Sequence, residues 1–307
     1  MQGGAIDALK AEVEEEPDAL RAFVPKVHRA SKGAMFVGAG DSYAAALAGF
    51  YFTGGRCIAL DPYSLASAPG IAEGLEVYFI SASGRTASNL AAARRVRGIA
   101  RRTVALTAVE ASPLADLVDD VVPLPMKYAP RTAGMLSFSL SLSAVLKLSG
   151  EDDASDFHGA FRDAKRDRRR LELGSGTTYV LGNSTGYVAA LYTAAKAYEL
   201  LGAKAHAELL EEFSHLELFS LVPEDKVLTF SCFDPYEMAK KLRRALSRSG
   251  YSVGLIPSHG DTDTEQLFHS IFVGQLSILD AADKAGLREP RFLASGRRLQ
   301  ASDWMIY

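Results

Sequence analysis

Short apolar segments alternate with helical segments along most of this 307-residue chain, and this alternation restricts the possible folds more than any other feature. The apolar segments lie at 34–38, 56–60, 76–80, 103–107 and 120–124, and again at 179–182, 227–231 and 251–256. Helical patterns lie between them, for example at 43–52, 86–97 and 135–148. This alternation predicts an α/β protein whose parallel sheets have helices on both faces.

The pattern also repeats. Residues 36–47 and 180–191, offset by 144 positions, share one glycine, one tyrosine, two alanines and one leucine in register. An offset of nearly half the chain predicts two copies of one α/β unit. The predicted organisation follows, listed in chain order: an N-terminal helical segment at 1–30, a first domain at 31–150, a charged linker helix at 151–172, and a second domain with a C-terminal tail at 173–307.

Two helical segments need separate interpretation. Residues 5–24 predict a leading helix that is interrupted near Pro17, because proline lacks a backbone N–H. In the segment 151–172, acidic and basic residues alternate closely. We interpret this segment as a solvated connecting helix. A phosphate-binding patch is the alternative, although the interleaved carboxylates weaken the positive field that it needs.

Composition excludes several classes of protein. The chain has 34 basic and 37 acidic residues and a net charge of −3, which argues against broad nucleic-acid binding and a polybasic membrane anchor. The two cysteines, Cys57 and Cys232, form no CxxC motif, so neither a disulfide scaffold nor a structural zinc site is expected. The sequence has neither a membrane-span pattern nor a secretory signal pattern. We therefore expect a cytoplasmic protein.

Two loops that follow apolar segments have the chemistry of an anion site. Gly38–Ser42 follows the first segment and Ser81–Thr86 follows the third. Small residues let backbone N–H groups approach a ligand, hydroxyls add hydrogen bonds, and the next helix presents its positive N-terminus. These loops predict a phosphate-monoester site that includes Gly40, Ser42 and, in the second loop, Ser81, Ser83, Gly84 and Thr86.

An ordinary turn followed by a helix N-cap explains the same serines and threonine. The first loop also lacks the dinucleotide fingerprint G-x-G-x-x-G, because Tyr43 stands at the third glycine position. In the second half, the equivalent segment 231–235 has lost the hydroxyl cluster and gained Asp234. We therefore expect one anion site per chain, in the first half.

The two loop motifs together, Gly-x-Gly-x-Ser and then Ser-x-Ser-Gly-x-Thr after a later strand, resemble the sugar isomerase (SIS) domain family. The resemblance covers residues 34–300 and implies two tandem SIS domains, each a flavodoxin-like parallel five-stranded sheet. It extends to the isomerase half of glutamine–fructose-6-phosphate amidotransferase and to archaeal phosphoglucose/phosphomannose isomerase. It implies a hexose phosphate substrate, no cofactor or metal, and a homodimer with shared active sites.

The resemblance also implies catalytic roles. Lys196 and Glu199 match a segment whose glutamate is the base that moves the C2 proton. His215, which follows after 16 residues, would open the sugar ring, in its own site or in that of the partner chain. Arg131, in the segment 129–133, would stabilise the enediolate. Aldose–ketose isomerisation needs these three functions.

Each of these residues has a structural alternative. Glu199 could be a solvated helix residue that pairs with Lys196 or Lys204, and Arg131 could neutralise a carboxylate. His215 could be a buried, hydrogen-bonded histidine or lie on an exposed face. Glu212 and His215 could share a metal, but no further ligands cluster near them in the sequence.

His259, Asp261, Asp263 and Glu265 form a more ligand-rich group. The Asp-Thr-Asp-Thr run within this group is a normal helix start, and we favour that capping interpretation.

The sequence departs from these relatives at several positions. No glutaminase domain is present, the segment 294–300 has arginines but no lysine, Leu216 and Glu217 replace a Gly-Pro pair, and Arg85 replaces a glutamate. A Schiff base to the sugar is therefore not expected. We predict a sugar-phosphate isomerase. The alternatives are a glutaminase-less aminating or deglycating enzyme and a non-catalytic sugar-phosphate-binding regulatory module.

Overall fold

The computed structural model describes residues 4–129, 132–150 and 155–307. The chain forms two compact units, each assembled from two separate parts of the sequence. We call Ala19–Ala154 with Gly296–Tyr307 the five-stranded unit, and Met1–Asp18 with Ser155–Ser295 the four-stranded unit. Among the described residues, no helix has the length and apolar character needed to cross a membrane.

The five-stranded unit contains one parallel sheet with strand order β2-β1-β3-β4-β5. Its strands are β1 (Met35–Val37), β2 (Ile58–Leu60), β3 (Glu76–Ile80), β4 (Arg102–Thr107) and β5 (Asp120–Pro123). Its helices are α2 (Asp41–Phe52), α3 (Pro62–Ser67), α4 (Ala87–Val96), α5 (Leu136–Ser149) and, near the chain's end, α11 (Gly296–Ile306). The order is flavodoxin-like, as predicted for the first half.

Alternating side chains of β1 and β3 supply both faces of this sheet. Met35 pairs with Val77 and Val37 with Phe79, and these residues pack on the face covered by α3 and α4. Phe36 and Tyr78 point to the other face, where their ring centroids lie 5.2 Å apart. Met35–Val37 and residues 77–80 are buried, which explains their continuous apolar sequence.

The four-stranded unit contains a second parallel sheet with order β7-β6-β8-β9. Its strands are β6 (Thr178–Gly182), β7 (Ala205–Leu209), β8 (Lys226–Phe230) and β9 (Ser252–Ile256). Its helices are α6 (Phe157–Asp167), α7 (Thr185–Lys196), α8 (Leu210–His215), α9 (Met238–Arg248) and α10 (Asp263–Lys284). The helix α1 (Ala5–Ala22) contributes its residues 5–18 to this unit.

The prediction of five strands in each half is wrong for the second half. Within the described ranges, its sheet has four strands, because the chain after β9 enters the 22-residue helix α10 and then a short 3₁₀ helix at Arg291–Ala294. The edge strand β7 was not predicted. Its residues 206–209 are only partly buried or exposed, so the sequence there lacks a continuous apolar run.

Two helix predictions also need correction. The leading helix α1 continues through Pro17 without interruption, with Val13 and Leu20 fully buried on either side of the proline. The charged segment is not simply solvated. Phe157 and Phe161 on α6 are buried, and their rings pack edge-on at 4.9 and 5.1 Å against two phenylalanines of α10. Their i, i+4 spacing places both on one helix face.

Candidate functional site

The two predicted anion loops leave from neighbouring strands. β1 lies next to β3 at the centre of the five-stranded sheet, and β2 and β4 lie on their outer sides. The strand order therefore reverses between β1 and β3. In open parallel sheets, ligands bind beyond the carboxyl ends of the strands at such a switch point. The fold therefore brings the loops after β1 and β3 to the position where a ligand is expected.

Three hydroxyls cluster in the β3–α4 loop. Ser81 Oγ lies 3.2 Å from Thr86 Oγ1 and accepts a hydrogen bond from the Gly84 N–H at 3.2 Å. Ser83 Oγ accepts the Arg85 N–H, also at 3.2 Å. Ser81 and Ser83 are buried, with relative exposures of 3% and 7%. The loop thus holds its own hydroxyls and N–H groups in a compact turn.

The N-cap interpretation of this loop can be tested against the geometry. Thr86 occupies the N-cap position of α4, but its side chain accepts no hydrogen bond from the helix. Its hydroxyl faces Ser81 instead. The first N–H groups of α4 therefore have no side-chain cap, and the N-terminus of the helix carries about half a positive charge. This arrangement suits an anion better than the ordinary capping role does.

Gly84 is required by the shape of the loop. Its φ is +61°, and a Cβ added at this position would lie 2.2 Å from Ser112 Oγ. Any side chain would therefore collide with buried Ser112 in addition to requiring a left-handed backbone. Sequence analysis identified Gly84 as a point of close ligand approach, and the structure adds this packing constraint.

The β1–α2 loop is more open. Gly40, the N-cap of α2, has φ +58°, no side-chain cap, and no atom within 4 Å of an added Cβ. Ser42 lies in the first turn of α2 and is half-buried. Asp41 begins the same helix, so this helix start already carries a negative charge. Of the two loops, the β3–α4 loop is therefore the better anion site.

Sequence analysis missed two tyrosines at this loop. The side chain of Tyr128 lies close enough to Ser83 and to Tyr307, the last residue of the chain, to interact electrostatically with both. Burial raises the pKa of Tyr128, so its phenol stays neutral and can donate a hydrogen bond at neutral pH. Positions 83, 128 and 307 are far apart in the sequence, and no motif joins them. Only the folded chain brings them together.

In the four-stranded unit, Lys196 and Glu199 lie together. Lys196 is fully buried at the end of α7, and its Nζ lies 2.5 Å from Glu199 Oε2. Nζ also lies 5.3 Å from the centre of the Tyr192 ring. Glu199 stands in a π-helical turn, Ala197–Leu201, and its side chain is 36% exposed. The ion pair weighed as a structural alternative is therefore present, and the carboxylate still reaches solvent.

His215 does not join this pair. It ends α8 with its side chain 70% exposed, and its Nε2 lies 3.2 Å from Glu211 Oε1. In the described part of the chain, no hydrogen bond or ion pair connects it to Glu199 or Glu212. His215 therefore lies on an exposed face, as one of the sequence alternatives stated. Arg131 lies outside the described residues.

The corresponding loop of the four-stranded unit has the opposite chemistry. After β8, the carboxylate of Asp234 accepts the N–H groups of Met238 and Ala239, at 2.9 and 2.8 Å, at the start of α9. A resident carboxylate thus occupies the place at a helix N-terminus where a bound anion would lie. These bonds, 2.9 and 2.8 Å long, give two N–H groups at the start of α9 a hydrogen-bond acceptor within the chain.

The loops after β1 and β6 share their backbone geometry. Gly40 has φ 58° and ψ −127°, and Ser184, 144 residues later, has φ 51° and ψ −124°. An added Cβ on Gly38 would lie 2.6 Å from Ser42, and one on Gly182 would lie 2.2 Å from Gly186. Both helices thus begin against a glycine, in the same register as the sequence repeat.

The structure separates the ligand-rich group of the sequence into a helix cap, which includes Glu265, and a different cluster, which includes His259. Thr262 and Glu265 form a capping box at the start of α10, which confirms the capping interpretation. His259 instead contacts Asp167 and His269, two residues that sequence analysis did not connect with it. The signal was weak, because His269 lies inside an otherwise apolar helix.

Several solved structures share this fold. Glucosamine-6-phosphate deaminase from Thermotoga maritima matches with a TM-score of 0.72 and 19% identity, covering 92% of this chain and 95% of that chain. Tagatose-6-phosphate ketose/aldose isomerase from Escherichia coli matches with a TM-score of 0.71 and 17% identity, covering 94% and 97%. The C-terminal domain of glucosamine-fructose-6-phosphate aminotransferase from Francisella tularensis gives 0.69 and 16%, covering 90% and 96%.

These matches establish the fold, because their identities are low. No protein-family model and no curated protein sequence matches the chain.

Proposed function

We propose that this chain is a sugar-phosphate isomerase that interconverts the aldose and ketose forms of a hexose 6-phosphate. One observation carries the proposal: the β3–α4 loop gathers three hydroxyls at an uncapped helix start, at the switch point of the sheet. Such a loop can surround a phosphate with hydroxyl and N–H donors. The deaminase, the ketose/aldose isomerase and the aminotransferase that share the fold are all named for sugar phosphates, which supports the same substrate class.

In the proposed site, Ser81, Ser83 and Thr86 bind the phosphate with the N–H groups of Gly84 and the first turn of α4. Their hydrogen bonds within the loop are 3.2 Å long. The hydroxyls would exchange these for shorter, charge-assisted bonds to phosphate oxygens. Gly40 and Ser42 approach the same anion from the neighbouring loop. Anchoring the phosphate restricts the orientations that the bound sugar can adopt.

Glu199 is proposed as the base that removes the C2 proton and returns it at C1. Lys196 is a positioning residue, since its ammonium holds Glu199 Oε2 at 2.5 Å. Arg131 is proposed to stabilise the oxyanion of the enediolate. A positioned acid or base contributes about 10²–10⁴-fold to the rate.

His215 is proposed to open the sugar ring. Its 70% exposure in the single chain suits a residue that acts in the site of a second copy. We therefore propose a homodimer of tandem SIS domains, in which the similar strand orders of the two sheets reflect duplication.

The test is solvent exchange. Purified protein is incubated in D₂O with fructose 6-phosphate and, separately, with other hexose 6-phosphates, and the sugars are examined by NMR. The proposal expects deuterium at C2 of the recovered aldose. In Glu199→Gln, this incorporation of deuterium should be lost. A complete absence of exchange for all the sugars contradicts the isomerase proposal. Tight binding without exchange identifies a non-catalytic binding module instead.

A pair of matched variants tests the loop. Counted from the strand ends, Ser81 after β3 corresponds to Ser231 after β8, whose Oγ donates to the Ile256 carbonyl at 3.0 Å. Ser81→Ala is expected to weaken hexose-phosphate binding roughly 10-fold or more, the cost of a lost hydrogen bond to a charged group. Ser231→Ala should leave binding unchanged. Equal effects in the two variants would contradict the assignment of the phosphate to the first loop.

A second candidate is an aminating or deglycating enzyme without a glutaminase. The names of the deaminase and the aminotransferase among the similar structures favour it. Ammonia released from glucosamine 6-phosphate, or glucosamine 6-phosphate formed from fructose 6-phosphate and ammonium, would support this candidate. Exchange at C2 with no nitrogen transfer would support the isomerase.

A further inference from the structure

Two histidines and an aspartate from three elements meet inside the four-stranded unit. Asp167 ends α6, His259 lies in the loop between β9 and α10, and His269 lies almost two turns into α10. Nε2 of His259 lies 3.0 Å and Nε2 of His269 lies 3.3 Å from the same oxygen, Asp167 Oδ2. The three donor atoms all lie within 4.8 Å of one another.

The two separations that involve Asp167 are close to those in a metal coordination sphere. Zinc binds imidazole nitrogen and carboxylate oxygen at 2.0–2.2 Å, which places neighbouring ligand atoms of a tetrahedral site about 3.3–3.5 Å apart. The two measured separations, 3.0 and 3.3 Å, fall near this range. The donor set of two imidazoles and one carboxylate is one that transition metals accept.

His269 is a buried polar group without a hydrogen-bond partner. Its side chain is fully buried, and within the described part of the chain neither ring nitrogen forms a hydrogen bond, although Nε2 is 3.3 Å from Asp167. Leaving such a group unsatisfied is unfavourable, because its lost hydrogen bonds to water are not replaced. A bound cation would satisfy this nitrogen.

The surroundings of Asp167 also fit a cation. Arg170 Nε donates to Asp167 Oδ1 at 2.7 Å, which orients the carboxylate and leaves Oδ2 facing the two histidines. Asp163 lies close enough to act electrostatically on His269. The side chain of His259 is 44% exposed, so the cluster opens to solvent on that side. A water molecule could therefore complete the coordination.

We propose that Asp167, His259 and His269 bind one zinc ion, or a divalent transition-metal ion of similar preference, with water as a fourth ligand. No metal site is expected at these residues from the sequence, because the carboxylates that lie near His259 along the chain are different ones. The ion would tie α6 to the start of α10. This proposal is independent of the proposed isomerase activity.

A second group could compete for the metal. His206, Glu208 and Glu217 are partly exposed, and His206 Nε2 lies 3.7 and 3.4 Å from their two carboxylates. It has one imidazole instead of two, and each of its residues is at least one-fifth exposed. Zinc prefers the softer nitrogen donors to oxygen donors. We therefore place the ion in the cluster of Asp167, His259 and His269.

The experiment titrates the full chain with Co²⁺ after removal of bound metals with a chelator. Co²⁺ serves as a spectroscopic probe for zinc, since a four-coordinate ion gives intense visible bands and a six-coordinate ion gives weak ones. The proposal expects one ion per chain, intense bands, and their disappearance when Zn²⁺ is added. Zn²⁺ alone should raise the melting temperature.

Matched variants locate the ion without disturbing the core. Losing a residue that only hydrogen-bonds to a metal ligand typically weakens metal binding roughly 10- to 100-fold. Arg170→Gln should weaken metal binding within that range. His259→Gln changes an exposed side chain that would be a ligand itself, and should weaken metal binding by more. His158→Gln is the control, since His158 is 47% exposed and lies 3.2 Å from an aspartate, Asp18. Weak bands, no stoichiometric binding, or bands lost in His206→Gln but retained in His259→Gln would overturn the proposal.

Discussion

The loops after β3 and β8 occupy the same place in two sheets of similar strand order, yet they treat the start of the next helix differently. In the β3–α4 loop, Thr86 stands at the N-cap but leaves the helix N–H groups without a side-chain partner. In the β8–α9 loop, Asp234 accepts two of those N–H groups. One fold thus leaves the helix start uncapped in one unit and caps it with a carboxylate in the other. The difference lies in the loop residues and not in the sheet.

The largest effect should come from Gly84, which corresponds to Asp234 when both are counted from the strand ends. Gly84→Ala combines a left-handed backbone with a Cβ 2.2 Å from Ser112 Oγ. We expect a loss of about 3 kcal/mol in the free energy of unfolding and loss of hexose-phosphate binding. Urea denaturation and calorimetry would measure the two effects.

Gly98→Ala is the control for this change. Gly98 has φ +78° with no atom within 4 Å of an added Cβ, so it reports the backbone cost alone, about 1–2 kcal/mol. If the two alanine variants lose the same stability, the close contact with Ser112 does not constrain the loop. A double variant with Ser112→Gly should recover part of the difference.

The second effect concerns the ion pair of Lys196 and Glu199 in the four-stranded unit. The hydroxyl loop after β3 contains no such charged pair. Glu199→Gln leaves the Lys196 ammonium buried without its carboxylate. We expect a loss of roughly 2 kcal/mol, below the 3–5 kcal/mol of fully buried pairs because Glu199 is partly exposed. Thermal unfolding of Glu199→Gln measures this loss, and a variant as stable as the unchanged chain would contradict the argument.

A smaller effect separates the two helix starts. Asp234→Ala removes two hydrogen bonds from α9 and should cost about 1 kcal/mol. Thr86→Ala removes no cap and should cost less stability while weakening hexose-phosphate binding. Chemical denaturation and binding measurements on both variants sharpen the contrast. The comparison fails if Thr86→Ala is the more destabilising of the two.

The smallest effect is a gain. Ser184 adopts the backbone conformation that glycine provides at the matching position, Gly40. Ser184→Gly relieves that strain, and we expect a stabilisation of about 0.5–1 kcal/mol after the entropy cost of glycine. Gly40→Ser should destabilise by a similar or larger amount. Melting temperatures of both variants test the structural equivalence, and a destabilised Ser184→Gly would argue against strain at this position.

Sequence patterns located most of the sheet. The apolar run at 76–80 coincides with β3 because buried parallel strands need apolar residues on both faces. The run at 251–256 located β9, although most of that strand is exposed or only partly buried. The edge strand β7 escaped prediction because His206 and Glu208 interrupt any continuous apolar run there. Among the candidate site residues, the hydroxyl loop was identified from its motif. Tyr128 and Tyr307 were missed because tertiary contacts alone connect them to Ser83.

The sequence by itself determined the alternation of strands and helices and the place of the hydroxyl loop. These properties follow from local periodicity, glycine and short-range hydrogen bonding, which neighbouring residues set. Only the tertiary structure decided that Thr86 does not cap its helix, that Lys196 is buried against Glu199, and that Asp167 meets two histidines. Such contacts depend on which helices and strands pack together. They cannot be read from the sequence, because burial and ion pairing act between residues that lie far apart along the chain.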